Sequence, residues 1–126
     1  MRLKDKVAIV TGGGGAIGRA ICLALAGEGA KVAVFDLTVE CGEKVVKELR
    51  QAGTDAIGLA VDVSSYDNVA NAVAEVHNHF GRIDILVNCA GGSARGKMKE
   101  FHEQSIEVIH WMLGVNLFGA LHCIRA

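Results

Sequence analysis

The sequence predicts an α/β fold, a doubly wound parallel sheet with helices on both faces. Four short apolar runs, at 7–10, 31–36, 56–61 and 83–87, have the continuous hydrophobicity of strands buried on both sides. Longer stretches with apolar residues three and four apart alternate with them. The first run meets four consecutive glycines, at 12–15, before the pattern turns helical. Regular alternation of strand and helix argues for parallel strands joined by right-handed crossovers.

Val7, Ala8, Ile9 and Val10 open the fold as the first strand. The glycines after it carry no Cβ, so the backbone can turn sharply and bring its N–H groups close to a pyrophosphate. That anion would sit at the positive end of a helix starting near Ala16 or Ile17. The helix is expected over 16–28, with Ile17, Ile21, Ala24 and Leu25 at helical spacing and Gly27 and Gly29 near its end. Residues 31–36, KVAVFD, form the second strand. The second helix spans 39–52, with Val45, Val46 and Leu49 inward, Glu43, Lys44, Lys47 and Glu48 outward, and Gly53 as its stop. A third strand at 56–61 runs into Asp62, Val63 and Ser64. Ser64 or Ser65 caps the third helix, whose buried stripe is Val69, Ala72, Val73, Val76 and Phe80, and Gly81 ends it. The fourth strand, 83–87, leads into Asn88. Residues 105–126 form a long helix with Ile106, Ile109, Leu113, Leu117, Ala120 and Ile124 on one stripe.

In such a sheet the ligand crevice lies outside the carboxyl ends of the strands. The glycine turn, Asp36, Asp62 and Asn88 all fall there. Gly13, Gly15 and Gly18 match G-x-G-x-x-G between a strand and a helix, the setting of a Rossmann-type dinucleotide site. Asp36 lies eighteen residues after Gly18, near the ~20-residue offset at which an acidic side chain meets the adenosine ribose. A carboxylate there accepts from both ribose hydroxyls and repels a 2′-phosphate, which predicts NAD rather than NADP.

Composition narrows the classes. The chain has 126 residues, about one domain, with 51% hydrophobic and 21% charged residues and a formal charge of −1. The scattered Lys and Arg offer no patch for a nucleic acid. No apolar run approaches the ~20 residues of a membrane span, and MRLKDK enters a strand without a signal-peptide core, so a cytoplasmic protein with no membrane partner is expected. Cys22, Cys41, Cys89 and Cys123 form no C-x-x-C pair and read as free thiols. His77 and His79, two apart on a helix, point in different directions, and no metal site is expected.

Thr11, Gly12 and Gly18 also fit T-G-x-x-x-G-x-G, with Ala16 in place of the middle glycine. With Asp36, Asp62-Val63, Asn88-Cys89-Ala90-Gly91 and Val115-Asn116-Leu117, the chain resembles the amino-terminal half of a short-chain dehydrogenase/reductase over all 126 residues. The resemblance implies an NAD-dependent oxidoreductase interconverting a small-molecule alcohol and a ketone. It assigns cofactor contacts to Gly12, Gly14, Gly15, Ile17 and Gly18 in the first turn, and to Asp36 and Leu37 after the second strand. It adds Asp62 and Val63 after the third strand, and Asn88, Ala90 and Gly91 after the fourth. Asn116 is implied as the catalytic Asn that holds a water in a proton relay; its alternative is an Asn bonding a neighbouring turn. Family members often dimerise through the long helix, so its outer face with Trp111 implies a homodimer or homotetramer.

The family's Ser and Y-x-x-x-K follow that helix. The one tyrosine here, Tyr66, has Ala70 four residues on, so this acid/base is absent from the 126 residues. The helical pattern stops uncapped at Ile124-Arg125-Ala126 and the fourth strand is left as an edge, from which a parent chain about twice as long is expected. Two other classes stand beside the dehydrogenase. One is a dinucleotide-binding fragment or sensor without chemistry. The other is a P-loop nucleoside triphosphatase, because GGSARGK at 91–97 fits seven P-loop positions, although Met98 replaces the hydroxyl that ligates Mg²⁺. The same stretch begins like a nucleophile elbow at Ser93, but Arg95 stands where its second glycine belongs.

Overall fold

The computed structural model describes residues 1–93 and 95–126. Strands β1 (Val7–Thr11), β2 (Lys31–Asp36), β3 (Ala56–Ala60) and β4 (Ile85–Asn88) form one parallel sheet in the order β3-β2-β1-β4. Every residue of β1 is buried, as are residues 32–35 of β2, which is why these runs are apolar without alternation.

Side chains leave a strand on alternate faces, so each run feeds two cores. On one face Val10, Val32 and Val34 pack with Cys22 of α1 (Ala16–Gly27) and with Val45, Val46 and Leu49 of α2 (Val39–Gln51). On the other face Ile9, Ala33 and Phe35 pack with Val69, Ala72 and Val76 of α3 (Tyr66–Phe80). The expected architecture, helices on both sides of a parallel sheet, is therefore present. Thr38, Ser65 and Ser105 cap α2, α3 and α4 (Ile106–Leu113), each accepting from a backbone N–H three residues on. Gly81, with φ of +81°, closes α3 in the left-handed conformation.

The register aligns the strand ends. Thr11 pairs with Asn88 on one side and Phe35 on the other, and Phe35 pairs with Leu59. One row of four residues thus crosses the whole sheet, and the loops that carry the glycines and polar groups all depart just beyond it.

Four expectations need correction. β4 begins at Ile85, two residues later than expected, because Asp84 bridges to the start of β1 instead: its N–H donates to Val7 O (2.9 Å) and its Oδ2 accepts from Val7 N (2.9 Å). The buried side of α1 is Gly18 and Cys22, while Ile17 is 71% exposed and Ala24 is exposed. Close packing at Gly18 fixes which way this helix faces, and Ile17 is turned outward.

The long helix is interrupted. After α4 comes a π-helical turn, Gly114–Phe118, and then α5 (Gly119–Arg125). The widened turn rotates everything beyond it relative to a regular helix. Gly119 and Cys123 are buried, whereas Ile106, Leu113, Leu117 and Ile124 of the expected stripe are exposed. The stretch Ile106–Arg125 is also long and apolar enough to cross a membrane by length and composition, with a mean hydropathy of 1.3 over 18 of its residues, contrary to the expectation that no apolar run approached that length. Only Glu107 and Arg125 in it are charged; its uncharged polar residues interrupt the apolar run without lowering the mean far. Two of them, Asn116 and His122, bond to backbone at Gly92 and Val63 within the domain.

Candidate functional site

The glycine turn is shaped by contacts within the chain. Gly12 has φ of +63°, and a Cβ on it would lie 2.9 Å from Ala90 Cα. A Cβ on Gly13 would lie 2.8 Å from Val34 Cγ1, one on Gly14 would run into Cys41 O, and one on Gly18 into Gly12 O and Gly13 Cα. Gly18 is therefore the close-packing position shared by both readings of the glycine motif. Gly15 differs: its nearest neighbour, Gly12 O, would be at an ordinary 3.5 Å, and Gly15 lines the main cavity. Internal packing thus accounts for four of the glycines, and Gly15 is the one that internal packing leaves unexplained.

Hydrogen bonds fix the turn further. Gly13 N donates to Phe35 O (3.1 Å), Gly14 N to Asp36 Oδ2 (2.9 Å) and Gly15 N to Gly12 O (3.1 Å). The N–H groups of 13–15 are therefore used internally rather than all being aimed at an anion. The free donors come later, at the start of α1: Gly15 supplies no side-chain cap, and Ala16, Ile17 and Gly18 line the cavity. Thr11, buried, accepts from Cys89 N (3.1 Å) and Ala90 N (3.0 Å), which ties the loop after β4 to the end of β1.

A cavity of about 640 Å³ opens over the strand ends, within the size range of ligand pockets. Ten of the expected cofactor residues line it: Gly12, Gly15, Ile17, Gly18, Asp36, Leu37, Asp62, Val63, Ala90 and Gly91. Gly14 stands behind Asp36, and Asn88 is the last residue of β4 in register with Thr11; neither is in the lining. Sequence reasoning missed Ala16, Phe35, Val61, Ser64, Cys89, Trp111 and Val115, which do line it; Trp111, expected on the outer face of the long helix, stands at the cavity instead. Trp111 and Val115 are four apart, both ahead of Asn116, a helical spacing that carried the signal.

Each wall has its own support. Asp62 Oδ1 accepts from Ser64 N (3.0 Å) and Ser64 Oγ (2.6 Å). Val63 O is bonded to His122 Nδ1 (2.8 Å), and its side chain abuts Gly119, where a Cβ would come within 2.6 Å. Asn116, in the π turn, pairs with Gly92 in both directions, donating to its O (2.7 Å) and accepting from its N (3.1 Å), and also donates to Met112 O (2.9 Å). Its side chain is thus occupied with joining the long helix to the loop after β4 and does not line the cavity. Burial pushes the Cys22 thiol up to about 11, with nearby Cys89 adding to it. All four cysteines are free, and among the described residues no group of three His, Cys, Asp or Glu is placed to hold a metal ion.

The P-loop and elbow readings of 91–97 include Ala94, which lies outside the described residues. Beyond it, Arg95–Lys97 form a three-residue 3-10 turn, so among the described residues no α-helix N-terminus stands behind this stretch as a P-loop requires.

Known proteins extend this geometry. The family described as short chain dehydrogenase matches residues 6–126. Versicolorin reductase 1 of Aspergillus parasiticus is 44% identical over 100 residues, which cover 79% of this chain and 38% of that protein. Human 3-hydroxyacyl-CoA dehydrogenase type-2 is 35% identical over 126 residues, covering 98% of this chain and 47% of the relative. The crystal structure of NAD⁺-bound xylitol dehydrogenase matches with a TM-score of 0.93 and 35% identity, over 100% of this chain and 48% of that one. The chain therefore spans less than half the length of these relatives. A parallel sheet wound this way, its glycine turn and a match running from residue 6 to residue 126 lead to one assignment: the chain belongs to the short chain dehydrogenase family of oxidoreductases.

Proposed function

We propose that the protein is an NAD-dependent oxidoreductase that interconverts an alcohol and a ketone, with residues 1–126 forming the NAD-binding portion of a single longer domain. The observation that carries this reading is the one cavity that gathers an uncapped helix start, an acidic strand end and the loops after β3 and β4. The residues present fit a dinucleotide. Gly15 leaves room beside the first turn of α1, where backbone donors and the helix dipole suit a pyrophosphate.

In this reading Gly15, Ala16 and Ile17 receive the pyrophosphate. Asp36 receives the adenosine ribose hydroxyls, and Asp62 with Val63 and Leu37 receives the adenine. Ala90 and Gly91 border the nicotinamide ribose, with Asn88 behind them at the end of β4. Nicotinamide, when bound, supplies the hydride chemistry at its C4. The chain's own part is to orient the dinucleotide and exclude water from it. Asn116, with its amide committed to Gly92 and Met112, matches the alternative of an Asn bonding a neighbouring turn, and it serves as a positioning residue that holds the loop after β4 against the long helix. The relay's tyrosine and lysine are assigned to chain outside these 126 residues. We further propose a cytoplasmic homodimer or homotetramer, with the exposed side of Ile106–Arg125 as the contact.

A second reading, a dinucleotide-binding module without chemistry, is favoured by the Asn116 side chain, which is occupied by Gly92 and Met112 and does not line the cavity. Both are tested by titrating NAD and NADP against the fluorescence of Trp111, the one tryptophan, which lines the cavity. NAD is expected to bind at least about tenfold more tightly, roughly 1.4 kcal/mol. Equal affinities overturn the NAD preference, and no binding of either overturns both readings. Alcohol-dependent reduction of NAD then separates the enzyme from the module.

A further inference from the structure

The structure assigns the Asp36 carboxylate a second role, that of a latch between the glycine turn and the β2–α2 connection, so that it shapes the phosphate end of the site as well as meeting the ribose. This inference rests on the dinucleotide reading above.

The contacts are specific. Oδ2 accepts from Gly14 N (2.9 Å) and Oδ1 from Leu37 N (2.7 Å), so one carboxylate bridges the turn after β1 and the turn after β2. Beside it Gly13 N donates to Phe35 O (3.1 Å), and behind it Gly14 backs onto Cys41 O with no space for a Cβ. The glycine turn is thereby wedged between the end of β2 and the first turn of α2. Among the described residues, Asp36 is the one side chain that hydrogen-bonds to residues 12–15. An ionised carboxylate offers about four acceptor positions, so two internal bonds leave both oxygens able to accept from ribose hydroxyls. The two roles are compatible, and removing the carboxylate removes both.

A ligand without ribose hydroxyls separates them. The affinities of ADP and 2′,3′-dideoxy-ADP are measured by calorimetry for the wild type, Asp36→Ala and Asp36→Asn. The Asn variant removes the charge but keeps an acceptor oxygen for Gly14. On 2′,3′-dideoxy-ADP, Asp36→Ala is expected to bind about fivefold more weakly than Asp36→Asn, the worth of one ordinary hydrogen bond, while both variants lose affinity for ADP. Equal binding of dideoxy-ADP by the Ala and Asn variants overturns the latch and leaves Asp36 a ribose contact alone. If Asp36→Ala does not fold, the Gly14 amide is followed by hydrogen exchange in the wild type; slow exchange supports the latch, and exchange as fast as a free amide overturns it. Failure of the wild type to bind either nucleotide is a different result, because it overturns the dinucleotide reading itself.

Discussion

The two sides of the cavity are built on opposite plans. On one side β1, β2 and the glycine turn are held by buried apolar side chains and by backbone groups that bond one another, and most positions there have no spare room. On the other side the stretch Ile106–Arg125 buries only Gly119 and Cys123 and leaves Ile106, Leu117, Leu121 and Ile124 exposed. Beyond those two buried contacts, that side is held by two polar tethers, Asn116 to Gly92 and His122 to Val63. The first wall is thus specified by volume and the second by a few hydrogen bonds. Substitutions of similar size should therefore have unequal effects on the two.

The largest effect is expected from Gly18→Val. Its side chain would collide with Gly12 O and Gly13 Cα, and overpacking against backbone is expected to destabilise by about 3 kcal/mol, read as a lower urea midpoint together with loss of NAD binding. Normal stability would show that α1 can lift off the sheet freely. Next comes Thr11→Val, which keeps the volume but strips the acceptor from two amides. About 2 kcal/mol of stability should go, with the loop after β4 gaining hydrogen exchange at Cys89 and Ala90. Unchanged exchange at those two amides would mean that Thr11 does not hold the loop.

A third test uses acid. Arg82 first, then the Val7 N–H, hold the Asp84 carboxyl down at about 2, below the ordinary carboxylate value near ~3.9. A depressed folded-state pKa means that the stabilisation is full above about pH 4 and is lost as the pH falls through about 2. Wild type should therefore lose its advantage over Asp84→Asn between those values, in urea melts at stepped pH. An advantage unchanged down to about pH 2 would show that Asp84 does not fasten β1 through its charge. The smallest effect belongs to the second wall: Leu117→Ser, at a position 50% exposed, should stay within about 0.5 kcal/mol of wild type in the same melts. A loss as large as that of Thr11→Val would mean that this face is covered in solution.

Much of this was legible in the sequence because strands buried on both faces leave an unmistakable apolar run, and because parallel order follows from strand and helix alternation. The cavity followed from the same logic, since a parallel sheet places all its strand ends together. What could not be read were effects carried by single local contacts. Asp84, although it lies next to an apolar run, belongs to an ion pair with Arg82 and shifts the start of β4. Ile17 has ideal helical spacing and still faces outward, because a glycine decides which side of α1 touches the sheet. A π turn has no periodic signature, so the stripe drawn through 105–126 loses its phase from Leu117 on; Ile106 and Leu113, ahead of the turn, are exposed as well. Trp111 and Val115 were hidden for a related reason: they reach the cavity from a helix that follows the strand ends in sequence by more than twenty residues.

The row Asn88, Thr11, Phe35 and Leu59 acts as a common baseline for four loops. Each recognition segment is counted outward from it: glycines after Thr11, Asp36 after Phe35, Asp62 and Val63 after Leu59, Ala90 and Gly91 after Asn88. Residues added farther along any one loop leave that baseline unmoved. A protein built this way can change what its outer loops touch without renegotiating how it holds what lies against the sheet, so a fixed cradle and an adaptable mouth are two readings of the same geometry.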